Sequence, residues 1–191
     1  MDLSKNIILC DVLANNPRIR VVGLPQPSIK KELTDPRSVR DIVILDGCLN
    51  FIELQHQLDD HDNIHGWMTA TKWSMKITTG HSEDWHMDHK VYSSSISAGS
   101  SKTGGNAQPN IQKLHLGLPN LSLRGDNLAY FLAKTKFLGN EQTSWVIAVD
   151  LKNNIYESME YNAIKTIGLS IGYEASSISK YLKGIPACFF L

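Results

Sequence analysis

The sequence predicts an all-β protein built from antiparallel meanders. Three observations support this fold class. Short apolar runs recur along the chain, some alternating with polar residues and some apolar on both faces. Turn-forming Gly, Pro, Asn and Asp residues separate these runs, and the pattern contains no long amphipathic helix. About ten short strands joined by turns are typical of all-β proteins.

The stretch 127–161 has the clearest pattern, because it contains three consecutive predicted strands. Leu128–Lys134 and Trp145–Val149 are apolar on both faces, as expected for strands that are covered on two sides. Ile155–Tyr161 regains charged residues and is predicted to be an outer, partly solvated strand. Together with a short strand at Asn120–Leu123, these segments form a predicted four-strand meander.

Two hairpins are predicted in the first third of the chain. Ile7–Val12 and Arg18–Leu24 flank an Asn-Asn-Pro turn, and prolines end the second strand because proline cannot donate to a sheet. Asp41–Leu45 and Leu49–Leu54 flank Asp46-Gly47. An Asp-Gly pair between two apolar runs favours a tight hairpin turn.

Two further predicted strands, Trp67–Ile77 and Asp84–Val91, alternate between apolar and polar residues. Residues 55–65, before the first of them, are predicted to be a polar insertion. The period of two places one set of residues on a single face of each strand: Trp67, Thr69, Thr71, Trp73, Met75 and Ile77 in the first, and Trp85, Met87 and Val91 in the second. All four tryptophans, including Trp145, are therefore predicted to lie in the core.

The remaining segments are less regular. Residues 93–110 are rich in Ser and Gly and are predicted to be a flexible loop, because they offer little apolar area to bury. Residues 111–118 fit one face of a helix, but a proline follows at once, so the pattern does not decide their structure. Ile164–Tyr173 is predicted to be a further strand and Ser176–Lys183 a short helix.

The two four-strand units have the size of β-propeller blades, which span about 40 to 50 residues and whose inner strands are covered on both faces. The first unit runs from Asp41 to Val91 and the second from Asn120 to Tyr161. A closed propeller needs at least about four blades. Residues 1–191 are therefore predicted to form either a single all-β domain that closes as a sandwich or barrel, or part of a propeller.

Composition restricts the function classes. Nineteen basic residues balance nineteen acidic ones, which predicts neither a nucleic-acid nor a membrane partner. The N-terminal apolar run is too short for a signal peptide, and no stretch approaches the ~20 apolar residues of a membrane span. Three cysteines are too few for a secreted disulfide framework. A cytoplasmic or nuclear location is predicted.

The richest polar cluster lies on the predicted strand Asp84–Val91. Asp84, His86 and Asp88 share one face, and two carboxylates beside an imidazole can bind Zn²⁺ with a ligand from elsewhere. The alternative is a solvated outer strand. His86 and His89 are three residues apart and are predicted to point to opposite sides. No nucleophile elbow or phosphate-binding loop occurs in the sequence, so no catalytic or cofactor-binding residue is predicted.

Segments along nearly the whole chain carry a family resemblance: residues 8–13 (Ile-Leu-Cys-Asp-Val-Leu), 16–25, Arg40–Ile42, Gly66–Ser74, Asp84–Asp88, Pro119–Leu123, Trp145–Asp150 and Ile178–Leu182. In this order they resemble a plant family, abundant in grasses, that is known as domain of unknown function 1618. The resemblance implies a truncated or C-terminal-portion member, because family members are longer at the N-terminal side. It also implies similarity to the propeller-like regions that accompany F-box motifs in plant ubiquitin-ligase receptors, and it supplies no catalytic residues.

These observations together predict a non-catalytic protein-interaction module without a cofactor, acting in substrate recognition as F-box-associated regions do. Two alternatives remain open. One is a metal-binding protein or metal-assisted hydrolase centred on Asp84, His86 and Asp88. The other is a fragment without an independent function.

Overall fold

A computed structural model of the chain describes residues 5–10, 15–16, 19–25, 36–58, 64–77, 84–99, 108–135 and 143–162. Strands dominate this part of the chain, which confirms the all-β prediction. Two short helical turns accompany them, α1 at Pro36–Val39 and a 3₁₀ turn at Ile111–Lys113. The strands are β1 Asn6–Cys10, β2 Ile19–Gly23, β3 Arg40–Leu45, β4 Cys48–Leu58, β5 Ile64–Lys76, β6 His86–Tyr92, β7 Ser97–Ala98, β8 His115–Leu121, β9 Leu128–Lys134, β10 Thr143–Asp150 and β11 Ile155–Asn162.

The first sheet is the predicted meander β3-β4-β5-β6, with every pair antiparallel. Its tight turn confirms the Asp-Gly hairpin, since Asp46 and Gly47 both have positive φ, 50° and 72°. The predicted polar insertion is wrong at both ends, because β4 continues to Leu58 and β5 begins at Ile64. Residues 59–63 lie outside the described part of the chain. Polar residues are accommodated in these strands because their side chains form hydrogen bonds with residues of the neighbouring strand, as described below.

The second sheet has the order β7-β11-β10-β9-β8 and contains the second predicted meander. Its first strand begins earlier than predicted. The undecided segment 111–118 forms a 3₁₀ turn, in which the Asn110 side chain accepts a hydrogen bond from Gln112 N, and then enters β8. Pro119 is tolerated inside β8 because the pairing with β9 is interrupted between Gly117 and Asn120.

The main core lies between the two sheets. Ile52, Leu54 and Ala70 of the first sheet pack in one buried cluster with Phe131 and Ile147 of the second. The first meander therefore covers one face of the second. On the opposite face of β9 and β10, Tyr130 and Val146 are also buried. This confirms that these two strands are apolar and buried on both faces.

The hairpin β1-β2 forms a third layer on the other face of the first sheet. Val22 packs there with Leu49 and Met75, and partly buried Ile7, Leu9, Ile77 and Trp85 surround them. The Trp85 indole N–H donates to the Gly23 carbonyl over 2.7 Å. Antiparallel sheets stacked face to face are consistent with propeller blades, although the described sheets are open.

Two β-bulges make the predicted faces of β5 and β6 wrong. The ladder pairs Gln55 with Thr69 but His56 with Trp67, so Met68 is an extra residue in β5. This bulge turns Trp67 into the core between the sheets, whereas Trp73 lies on the hairpin side against Phe51. An extra residue shifts every later side chain to the opposite face, and alternation in the sequence does not reveal it.

The second bulge places Asp88 as an extra residue in β6, between Met87 opposite Trp73 and His89 opposite Lys72. Trp85 consequently packs on the hairpin side, whereas Val91 is in the main core. The prediction that the tryptophans lie in the core is confirmed for Trp67, whereas the other three are only partly buried. Trp67 is buried, Trp145 packs against the main core, Trp85 belongs to the hairpin-side cluster and Trp73 stacks on Phe51.

The segment predicted as a loop over 93–110 differs from that expectation at Ser97–Ala98. These residues form β7, which pairs in parallel with β11 at the edge of the second sheet. Ile96, just before β7, is buried in the main core. Residues 100–107, the predicted strand Ile164–Tyr173 and the predicted helix Ser176–Lys183 lie outside the described residues.

Candidate functional site

Exposed apolar side chains are concentrated on one side of the molecule, which we call the outer side. It consists of the face of the first sheet that is turned away from the second sheet, together with the hairpin. Three of the large exposed apolar residues are on the hairpin, two on β3 and two on β6: Ile8, Ile19, Val21, Ile42, Ile44, Met87 and Tyr92. Met68 is exposed at its bulge, and Ile155 is the large apolar residue exposed on the described part of the second sheet.

The hairpin exposes an apolar face because its strands alternate. Ile7 and Val22 are cross-strand partners that face the first sheet, whereas Ile8 and Val21 are partners that face away from it. Ile19 is 72% exposed and is paired with Cys10, which is exposed too. The four residues on the away-facing surface of the hairpin are therefore all uncharged: Ile8, Val21, Cys10 and Ile19.

Polar residues are buried on the same face of the first sheet, further along β4 and β5. Glu53 accepts a hydrogen bond from Arg40 Nε over 2.9 Å and forms an ion pair with the same guanidinium. The Thr69 hydroxyl donates to the Gln55 side-chain oxygen over 2.8 Å. Glu53 is only 3% exposed and its second oxygen, Oε2, has no hydrogen-bond partner. These residues explain how a polar segment extends the strands.

A cleft of about 240 Å³ opens between the two sheets, at the end of the main core where the β3–β4 and β8–β9 turns lie. Its floor is the inner face of the first sheet, with Asn50, Lys72 and Ser74. The opposite wall is the β8–β9 turn, including Ser122 and Asp126. The core between the sheets thus changes from apolar to polar at this end.

Asp88 reaches the cleft because of its bulge. Its carboxylate accepts a hydrogen bond from the Ser74 hydroxyl over 2.7 Å, and its other oxygen lies 3.3 Å from the Lys72 ammonium nitrogen. The Lys72 and Asp88 side chains are 14% and 19% exposed, so this ion pair is largely withdrawn from water. Each charge is compensated within the network.

Two hydrogen bonds between the sheets fix the cleft walls. The Leu121 backbone N–H donates to an Asp41 carboxylate oxygen over 2.8 Å. The His89 ring nitrogen Nε2 lies 3.1 Å from Asn127 Oδ1 and donates to it. Both bonds join the two sheets beside the cleft.

Comparison with known families now places the chain. A family model described as "Protein of unknown function (DUF1618)" matches residues 1–130. The chain belongs to the DUF1618 family. Searches of curated proteins and of solved structures returned no match. The matched region of this DUF1618 protein contains the hairpin, the first sheet and all the residues that line the cleft. In its described residues, no helix is long and apolar enough to cross a membrane.

The DUF1618 chain does not gather the three metal candidates into one cluster. Asp84 lies before β6 begins, His86 is exposed opposite Ser74, and Asp88 is engaged in the cleft. Among the described residues, no three His, Cys, Asp or Glu side chains are close enough together to hold a metal ion. The prediction that His86 and His89 point to opposite sides is wrong. The bulge puts both on the inner side, opposite Ser74 and Lys72.

Sequence reasoning missed a histidine pair at the opposite end of the main core of this DUF1618 protein. His56 Nε2 lies 2.7 Å from the Leu116 carbonyl oxygen and donates to it. Burial lowers the pKa of His56, the bond to Leu116 opposes this, and the nearby His115 lowers the pKa further. The position between the two sheets thus favours the neutral form of His56. The sequence contained no indication of this, since residues 55–65 were predicted to lie outside the sheet.

Proposed function

We propose that this DUF1618 protein is a non-catalytic protein-interaction module that binds a protein partner through its outer side. The observation that carries the proposal is the clustering of exposed apolar residues there. Seven lie on the hairpin, β3 and β6, compared with Ile155 on the second sheet. Clustered exposed apolar side chains are typical of protein interaction sites, because leaving them in water is unfavourable.

The chemistry of the outer side favours a protein with an apolar contact surface. The away-facing residues of the hairpin, Ile8, Val21, Ile19 and Cys10, are uncharged and flat-lying on a two-stranded sheet. At the rim, the Lys90 ammonium lies 5.4 Å from the centre of the Tyr92 ring. An apolar centre with a polar rim is the usual organisation of a protein interface, and aromatic side chains are enriched in it.

Main-chain pairing offers this partner a second mode of contact. Among the described strands, β1 and β2 pair only with each other, so each has an open edge. An extended partner segment can add to such an edge through main-chain hydrogen bonds. We extend the proposal to substrate recognition of the kind found in F-box-associated regions. The stacking of the two antiparallel four-strand meanders, β3–β6 and β8–β11, supports this extension.

The test compares Ile19→Ser/Ile44→Ser with the matched control Ile155→Ser, which removes an exposed isoleucine from the second sheet. Tagged protein and both variants are expressed in plant cells, and the bound proteins are identified by quantitative mass spectrometry after crosslinking. We expect a set of partners that the control retains and the double variant loses. Equal recovery by all three proteins would contradict the proposed surface.

Three further measurements complete this test. Urea unfolding of each variant shows whether the fold is intact, since exposed substitutions usually change stability by only about 0.5 kcal/mol. Enzymatic turnover that disappears on replacing a single side chain would overturn the non-catalytic assignment. For substrate recognition, we expect at least one captured partner to be ubiquitinated more slowly with the double variant than with the control.

A further inference from the structure

We propose that His56 is a pH-sensitive contact between the two sheets, whose protonation releases the start of β8 from the first sheet. His56 lies on β4 and faces the second sheet, because its ring donates a hydrogen bond to the Leu116 carbonyl of β8. The proposed protein-binding surface is on the other face of the first sheet. The inference therefore does not depend on the proposed interaction function.

The first observation is the way in which β8 is held. Among the described strands β8 pairs only with β9, so the second sheet has an edge here. Two ionisable side chains of the first sheet bind backbone groups of this edge strand. His56 Nε2 donates to the Leu116 carbonyl over 2.7 Å near the start of β8, and an Asp41 carboxylate oxygen accepts from the Leu121 N–H over 2.8 Å at its end. The start of β8 is therefore joined to the first sheet through an imidazole.

The second observation is that this position opposes a positive charge. Burial between the sheets lowers the pKa of His56. The hydrogen bond to the Leu116 carbonyl raises this pKa by less, and the nearby His115 imidazole lowers it further. The pKa of His56 in the folded protein is therefore below its ordinary value of 6.5.

The described neighbours of His56 supply no compensating negative charge. Its ladder partner on β5 is Trp67, which is 2% exposed. The titratable neighbour on β8 is His115, whose own ladder partner on β9 is Lys134. The carboxylate nearest along β4 belongs to Glu53, which lies on the other face of the sheet and is paired with Arg40. A proton on His56 therefore adds an uncompensated charge to the main core.

The third observation is that the ladder around His56 is irregular. The register between β4 and β5 shifts between Gln55 and His56, and again between Gln57 and Leu58. Because this end of the ladder is interrupted twice, exposing His56 to water breaks few regular ladder bonds. His56 binds a proton more readily in water than between the sheets, so acid favours conformations that expose it. The contact is therefore intact above pH 6.5 and is lost as the pH falls toward the folded pKa.

The experiment measures hydrogen exchange in the full chain by ¹H–¹⁵N spectroscopy from pH 8 to 5. Rates are expressed as protection factors, which removes the intrinsic pH dependence of exchange. The reporter is the Trp67 indole N–H, which donates over 3.0 Å to the Ile111 carbonyl, in the 3₁₀ turn that precedes β8. We expect its protection to fall below pH 6.5 by up to about tenfold per pH unit, the limit for one linked proton.

Low concentrations of urea separate local release from global unfolding. A local opening exposes little surface, so urea should hardly change the protection of the Trp67 indole. The backbone amide of Ile147, which is fully buried on β10, should show the full urea dependence of unfolding. If both groups have the same urea dependence, β8 separates only when the whole protein unfolds, and the proposal is overturned.

A variant and a direct titration then assign the effect to His56. Glutamine retains an N–H donor for the Leu116 carbonyl but does not titrate, so His56→Gln should remove most of the pH dependence of the Trp67 protection. An NMR titration of the His56 ring in the unsubstituted chain tests the same point without a substitution, and its midpoint should lie below 6.5. A midpoint at or above 6.5, or an unchanged pH dependence in His56→Gln, would contradict the proposal.

Discussion

Replacing Trp67 by Phe tests the bulge at Met68 directly. Trp67 is 2% exposed and its indole N–H donates to the Ile111 carbonyl over 3.0 Å in the main core. The substitution removes this hydrogen bond, which contributes about 1 kcal/mol. It also removes buried ring atoms, at a cost of about 2 kcal/mol by area. The free energy of unfolding should therefore fall by about 3 kcal/mol, adding these two contributions.

Trp73→Phe is the matched control. Trp73 is half-buried on the hairpin side, with its ring centre 5.5 Å from that of Phe51. The same loss of atoms should cost only about 1 kcal/mol there, because less area leaves water. Both values come from urea unfolding followed by far-ultraviolet circular dichroism, with the slope m checked for constancy. If the two substitutions cost the same, the two tryptophans occupy equivalent faces and the bulge is refuted.

Three further predictions concern single residues. Gly47→Ala should lower the free energy of unfolding by about 1 kcal/mol, because Gly47 has a φ of 72° that alanine adopts only with strain. In the same urea unfolding experiment, Gly23→Ala should be nearly neutral, since no atom lies within 4 Å of the added Cβ. Burial holds the pKa of His56 below its ordinary value of 6.5, so the unfolded chain binds this proton at a higher pH than the folded one. Stability from His56 is thus present above pH 6.5 and lost as the pH falls toward the folded pKa. Unfolding titrations from pH 8 to 5 should show this loss, and His56→Gln should reduce it. Glu53→Ala leaves Arg40 without its carboxylate partner and should lower the free energy of unfolding, measured by calorimetry, by about 3 kcal/mol. A loss below about 1 kcal/mol would show that water solvates the pair.

The turns and the buried strands were predictable because their information is local. Asp46-Gly47 specifies a turn with two positive φ angles, and the structure has both. Leu128–Lys134 was predicted with its observed bounds, since a run that is apolar on both faces has few alternatives to a doubly covered strand. Both meanders follow from such local elements.

The faces of β5 and β6 were not predictable from alternation. An extra residue at Met68 or Asp88 changes no local preference, yet it reverses which side chains enter the core. The cleft has the same origin, because Asp88 reaches Ser74 and Lys72 only through its bulge. Asn50 and Asp126 meet there through sheet packing, which a single sequence does not encode locally. The metal prediction at Asp84, His86 and Asp88 assumed a regular strand.

The short strand β7 limits how this fold can be divided. It belongs to the connection between the two meanders, yet it pairs with β11 at the far edge of the second sheet, with the Ser97 N–H donating to Asn154 and the Gly99 N–H to Tyr156. A truncation or recombination event that separates the two meanders would remove β7 from the edge of the second sheet. The strand would then remain, without its partner β11, on the half that contains the first meander. Gly99 strengthens this dependence, because a Cβ there would lie 3.0 Å from the Ile155 side chain. The two meanders should therefore unfold as one cooperative piece.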